Sequence, residues 1–224
     1  MANLAQEIAS YLSTKSLSPT PAWLSTFLPT IRTNTPLPAL QKTALFRLLA
    51  TDITQSLARS PTSCFPATVH DATVRERNLT GPLAVQVLDV EDIGRSCWSQ
   101  VEAIEAAERG ETTKGREIIR SVPSEQETAE GVQAAGAGPH KVLLQDAQGV
   151  CVYGIEMHAI EGVGMGMSIG SKLVLRDVVV ARGVLLLNPG CVTVLGGKIE
   201  GVHKAWKEGL KERLLAKARI GEEE

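Results

Sequence analysis

The chain has 224 residues, is 43% hydrophobic, and sets 23 Lys and Arg against 25 Asp and Glu for a formal net charge of −2. That length suits one large or two small domains with a proper core. There is no global positive field to draw it onto nucleic acid, no apolar run near the roughly 20 residues that span a bilayer, and no secretory start, so an intracellular, soluble protein is expected.

Helices come first. Leu4, Ile8 and Leu12 recur every four residues. Thr20-Pro21 reads as an N-cap and a first-turn proline, and Trp23, Leu24, Phe27 and Leu28 form the stripe of a second helix that Pro29 stops. Thr35-Pro36-Leu37-Pro38 opens a third, whose stripe Leu45, Leu49, Ile53, Leu57 runs to Ser60-Pro61. Residues 1–62 are therefore expected to form a three-helix bundle, marginal alone and packed on the rest of the chain.

A poorly patterned connector leads to Gly81-Pro82 and a first strand. Leu83, Val85, Val87 and Asp89 share one face, and Ala84, Gln86, Leu88 and Val90 the other. Lys141–Gln145 and Val150–Met157 pair across the turn Asp146-Ala147-Gln148-Gly149. Lys172–Ala181 and Val184–Leu195 supply two more strands, with turns at Arg182-Gly183 and Asn188-Pro189-Gly190. Five strands with an irregular link between the third and fourth fit an OB-fold, a Greek-key β-barrel, over residues 63–200. The fold class is α+β. In Val184-Leu185-Leu186-Leu187 four apolar residues stand in a row where a half-buried strand would alternate, so both faces are covered. The barrel interior covers one. The rest of the chain, or another protein, covers the other.

An insertion of residues 96–138 separates the first two strands, far longer than a hairpin loop of roughly 2–5 residues. Glutamates outnumber basic residues in it, a short helix is predicted from Ser99 to Arg109 with Val101 and Ile104 on one side, and Ser124 to Gly138 reads as flexible. In residues 201–224, Val202, Trp206, Leu210 and Leu214 mark a charged C-terminal helix. Gly209 costs it about 1 kcal/mol relative to alanine, so docking holds it.

Chemistry is hard to find. Gly162, Gly164 and Gly166 lack the third fingerprint glycine at the right offset, and the next element is a strand instead of a helix, which leaves a flexible linker. Cys64, Cys97, Cys151 and Cys191 have no paired spacing and read as free thiols. His70, His140, His158 and His203 are dispersed, without metal-ligand spacing. Asp89, Glu91 and Asp92 cluster without a nucleophile and read as a solvated strand end. No active site, cofactor, metal or small-molecule substrate is expected. OB barrels that bind single strands stack bases on exposed rings in a basic groove. Here the barrel strands offer only Tyr153 and a few cations, Lys141, Lys172, Arg176, Arg182 and Lys198, which favours protein scaffolding.

Several segments carry a resemblance: Pro21-Ala22-Trp23-Leu24, Leu79-Thr80-Gly81-Pro82-Leu83, Leu144-Gln145-Asp146 with Gly149, Gly170-Ser171-Lys172-Leu173-Val174-Leu175, Arg182-Gly183-Val184-Leu185-Leu186-Leu187-Asn188-Pro189, and Val194-Leu195-Gly196-Gly197. On these the chain resembles the RecQ-mediated genome instability protein family, in its shorter, fungal-like form. The resemblance implies a three-helix bundle on an OB-fold and a non-catalytic nuclear subunit for genome stability and DNA repair. The subunit would be bound to topoisomerase III, a type IA enzyme, and work with a RecQ helicase to dissolve double Holliday junctions. The insertion looks like the family's decatenation loop, which reaches the topoisomerase gate. Removing Trp98 to Gly138 is then expected to spare binding and weaken decatenation. DNA is touched only weakly or within the complex, and the second OB-fold of longer relatives, with its partner, is not implied. Lys172 occupies the family's Gly-Ser/Thr-Lys position, as a partner contact or else a solvated strand-edge lysine. Val101 and Ile104 either bury in the partner or pack the loop helix at home, and Trp98 anchors the loop base or meets the partner. The alternatives are a stand-alone single-stranded nucleic-acid-binding OB protein and a nucleotide-using enzyme built on the glycine loop.

Overall fold

The computed structural model describes residues 2–31, 35–114, 117–120 and 138–220. Four helices open the chain: α1 (Ala2–Thr14), α2 (Pro21–Phe27), α3 (Leu37–Leu49) and α4 (Ile53–Ser56). Ile8 and Leu12 of α1 are fully buried, as their spacing predicts. The Thr20 hydroxyl accepts from the Trp23 amide at 3.1 Å, with Pro21 in the first turn of α2. The third helix, expected to run to the Ser60-Pro61 break, stops at Leu49 instead. Asp52 caps a new turn by accepting from the Thr54 amide at 2.8 Å, and this breaks the stripe. The residues of α3 that bury are Leu40, Ala44 and Leu48, while Leu45 and Leu49 are half-buried.

The remaining elements are β1 (Arg77–Leu79), β2 (Leu83–Asp92), α5 (Cys97–Glu108), β3 (Glu111–Lys114), β4 (Glu117–Arg120), β5 (His140–Gln145), β6 (Cys151–Glu156), β7 (Lys172–Leu175), β8 (Val178–Ala181), β9 (Val184–Leu187), β10 (Val192–Gly196), α6 (Glu200–Glu208) and α7 (Leu210–Ile220). Eight strands form one sheet in the order β1-β8-β9-β6-β5-β2-β7-β10, and β3 and β4 form a separate hairpin. Only Arg176 and Asp177 separate β7 from β8. Because β7 pairs with β2 and β8 with β9, the sheet curls back on itself as an OB-fold requires.

Eight strands stand where five were expected, for local reasons. The fourth strand breaks at Asp177, whose φ is +48°. The fifth breaks at Asn188-Pro189-Gly190, and its second half crosses to pair with β7. β1, hidden in the connector, adds to β8. The C-terminal helix likewise divides at Gly209 into α6 and α7. The insertion holds α5, starting two residues earlier than Ser99 because Ser96 caps it, then the β3–β4 hairpin. Of the stretch Ser124 to Gly138 read as flexible, all but Gly138 lies outside the described residues.

The face assignment of β2 also changes along its length. Leu83, Val85 and Val87 point into the barrel core, but a bulge at Leu88 shifts the register between Val87 and Asp89. Val90 therefore turns inward and Asp89 outward, the reverse of strict alternation. Two apolar clusters result. One fills the barrel, with Leu144, Val152, Leu173, Leu175, Leu185 and Leu187. The other joins α1–α4 to the outside of the sheet through Ala84, Ala147 and Leu195.

Candidate functional site

The outer surface of the barrel is treated differently on its two sides. Over β2 and β7 the helical bundle covers it, so all four residues of β7 are buried. Gln86 and Lys172 are register partners there, and both are buried. Gln86 accepts from the Ile53 amide at 3.0 Å and donates to Asp52 at 3.3 Å. The Lys172 ammonium donates to the carbonyls of Leu49 at 3.0 Å and Gly170 at 2.8 Å. Gly197 lets α3 approach: a Cβ there would stand 2.5 Å from the Leu49 carbonyl oxygen, and its φ is +100°. Burial pushes Lys172 down to about 8, opposed by the Asp52 charge. Lys172 is thus neither a solvated strand-edge residue nor a surface contact: it is 1% exposed and ties the bundle to the barrel.

Among the described residues, nothing covers the other side. Leu143 faces Tyr153, Ile155 faces Leu186, and Leu186 faces Val179 in the cross-strand registers, which places them on one outward surface with Val184. Leu143, Ile155, Val179, Val184 and Leu186 are each partly exposed; Tyr153 is 48% exposed and Met157 at the strand end 51%. This is the uncovered second face that the run Val184–Leu187 calls for. Leu185 and Leu187 point inward and Val184 and Leu186 outward. The electrostatics of this face are muted. The Lys141 ammonium lies 5.1 Å from the Tyr153 ring centroid and 2.8 Å from Glu91. Glu91 also binds Lys217 of α7. Among the described residues of β5, β6, β8 and β9, Tyr153 is the one Phe, Trp or Tyr and Lys141 the one Lys or Arg, and they already serve each other.

The insertion leaves the barrel beside this face through a neck of two glycines. A Cβ on Gly94 would meet the Gly138 Cα at 2.3 Å, and one on Gly138 the Gly94 Cα at 2.2 Å, so neither position has room for a side chain. The Ile93 amide donates to the Pro139 carbonyl at 3.0 Å, and the Gly94 amide to Asp92 at 3.0 Å. The Gln100 amide group donates to the Asp92 and Arg95 carbonyls at 2.9 and 3.0 Å and fixes the start of α5. Val101 is buried within the chain's own fold, Ile104 is half-buried, and Trp98, in the first turn, is 44% exposed. α5 lies against α7, where Lys211 reaches Glu105 at 3.2 Å and Glu108 at 2.8 Å. Asp89 accepts from the Trp206 indole at 2.6 Å. The cluster read as a solvated strand end is therefore the anchor of the neck and of the C-terminal helices.

Two further groups depart from expectation. Val163 and Met165 of the glycine-rich segment pack against the barrel core, so it is a built closure and not a loose linker. His140 is buried with its Nδ1 2.6 Å from Glu156, while its Nε2 has no hydrogen-bond partner among the described residues. Glu156 also accepts from the Ile160 amide at 2.7 Å. No sequence pattern marks that pair, because its partners are 16 residues apart on neighbouring strands. Among the described residues, no group of three or more His, Cys, Asp or Glu could hold a metal, and no helix is long and apolar enough to cross a membrane.

The family model described as "RMI1, N-terminal OB-fold domain" matches residues 65–210, and that described as "RMI1, N-terminal helical domain" matches residues 12–56. The chain is similar to RecQ-mediated genome instability protein 1 of Schizosaccharomyces pombe, 32% identical over 132 residues that cover 53% of this chain and 56% of that protein. It is similar to the protein of the same name from Mus musculus, 31% identical over 147 residues, 64% of this chain and 22% of the relative, and from Xenopus laevis, 31% identical over 140 residues, 61% and 23%. The chain thus spans little more than half of the yeast relative and under a quarter of the two vertebrate ones. With the barrel model alone matching residues 65–210 of 224, the chain belongs to the RecQ-mediated genome instability protein 1 family.

Proposed function

We propose that this chain is a non-catalytic accessory subunit that docks on topoisomerase III, works beside a RecQ-family helicase in the nucleus, and modulates the topoisomerase's DNA gate through its insertion. In that role it promotes decatenation and double Holliday junction dissolution. The observation that carries the reading is the outer face of β5, β6, β9 and β8, left uncovered by the described residues: apolar, short of rings, and with the one lysine of those strands, Lys141, ion-paired. A single-strand-binding barrel needs the opposite, free rings in a basic groove. An apolar centre with a charged rim is the surface of a protein interface. The family resemblance supplies the partner, and the names of the relatives supply the RecQ context.

The mechanism is conformational. A subunit that favours the opened gate needs differential affinity for that state and no chemistry of its own. The glycine neck and the α5–α7 contact fix where the insertion emerges, beside the docking face. They also set the deletion that tests it. Since α5 is part of the fold at home, residues 111–137 should be replaced by a short linker and α5 retained. Co-elution with topoisomerase III should persist and decatenation by the pair should fall at least severalfold; unchanged decatenation would sink the gating role.

A further inference from the structure

A second apolar surface lies away from the barrel face, between α2 and α3. The rings of Trp23 and Phe27, one turn apart on α2, stack at 5.1 Å and 7° to form its floor. The Trp23 indole donates to the Thr51 hydroxyl at 3.4 Å. The Arg47 guanidinium lies 5.5 Å over the Phe27 ring and donates to the Thr30 hydroxyl. Beside it Phe46 holds its ring out, 75% exposed, the most exposed large apolar side chain described. The groove measures about 270 Å³. That is below the roughly 300–1,000 Å³ of small-molecule pockets and suits one or two side chains of a peptide.

Charge selects the occupant. Neither α2 nor α3 contains Asp or Glu, whereas Lys42 and Arg47 flank Phe46 on the exposed side of α3. Asp52, the nearest carboxylate in sequence, is turned to the barrel junction, where it meets Thr54 and Gln86. The rim is cationic, and among the described residues neither Lys42 nor Arg47 is ion-paired, in a chain whose net charge is −2. Base stacking is disfavoured, because the two floor rings are buried against each other and only Phe46 is free to stack. An exposed aromatic beside an arginine is the composition of an interface hot spot. An amphipathic helix laid in a groove is a recurrent mode of recognition.

We propose that the α2–α3 groove is a second docking site, which takes a bulky apolar anchor flanked by carboxylates from an amphipathic segment of a partner protein. The site is independent of the barrel face, so one chain can hold two proteins at once.

The test is a phage-displayed library of random 16-residue peptides, panned on the whole chain, with enriched peptides titrated by fluorescence anisotropy. Enriched sequences should carry an aromatic or large aliphatic residue next to Asp or Glu. Their affinity should drop at least tenfold with Phe46→Ala and with Arg47→Glu, and should weaken as salt rises. Phe46 and Arg47 are exposed, so circular dichroism of both variants should match the parent. Co-elution with topoisomerase III should survive Phe46→Ala, and peptide binding should survive Leu186→Asp, so each reading can fail without the other. Binders that ignore Phe46, enrichment of basic sequences, or an oligo-dT whose binding is lost with Phe46→Ala would each overturn the proposal.

Discussion

Lys172 shows how one side chain can be misplaced by pattern and placed by geometry. A lysine opening an apolar strand usually guards an edge. Here β7 has β2 on one side and β10 on the other, and α3 closes over its outward face. The ammonium is retained because two carbonyls and the nearby Asp52 receive it, but burial still pushes it down to about 8 from an ordinary 10.5. The unfolded chain therefore holds this proton more tightly between those values, and the group's contribution to stability rises with pH across that window. Relative to Lys172→Met, which lacks the titration, the parent should gain on the order of 2 kcal/mol between pH 7.5 and 9.5. Urea unfolding of both at the two pH values measures it. A difference that does not move with pH would mean that the ammonium is solvated.

At the scale of elements, apolar spacing makes most helices legible. α1, α2 and α5 stand close to where their stripes and caps place them. What is not legible is where an element breaks. Asp52 and Gly209 interrupt stripes that run on in the sequence, and the Leu88 bulge inverts the faces of β2. These are local backbone events that long-range packing selects, and periodicity averages over them. The β3–β4 hairpin did leave a signal, Thr112-Thr113 opposite Ile118-Ile119 in β-branched pairs. The anchors of the site were hidden for another reason: Asp89 meets Trp206 across 117 residues, and Lys211 meets Glu108 across 103. Trp206 is the keystone of the C-terminal helices, buried, bonded to Asp89 and capped by the Arg213 guanidinium. Trp206→Ala should cost roughly 3–5 kcal/mol in urea unfolding and raise amide exchange across α5. Exchange unchanged in α5 would show that α7 does not hold the insertion's stem.

For the whole molecule, the arrangement is a barrel whose outside is shared out. The bundle takes β2 and β7, with Gly197 and Lys172 at the seam. α6 and α7 take the far half of β2, through Asp89 and Glu91. Among the described residues, the face of β5, β6, β9 and β8 is left, with the insertion's neck at its border. The need to cover the Val184–Leu187 strand was readable from four letters. Which strand the chain covers by itself was not, since that depends on how the bundle sits.

The most direct measurement is size-exclusion co-elution with topoisomerase III from the same organism at moderate salt, for the parent chain and for Tyr153→Glu/Leu186→Asp with its circular dichroism unchanged. A stable one-to-one peak with the parent, lost in the double variant, is the expected result. Two separate peaks with the parent and an active enzyme, or co-elution that ignores both substitutions, would contradict docking through this face.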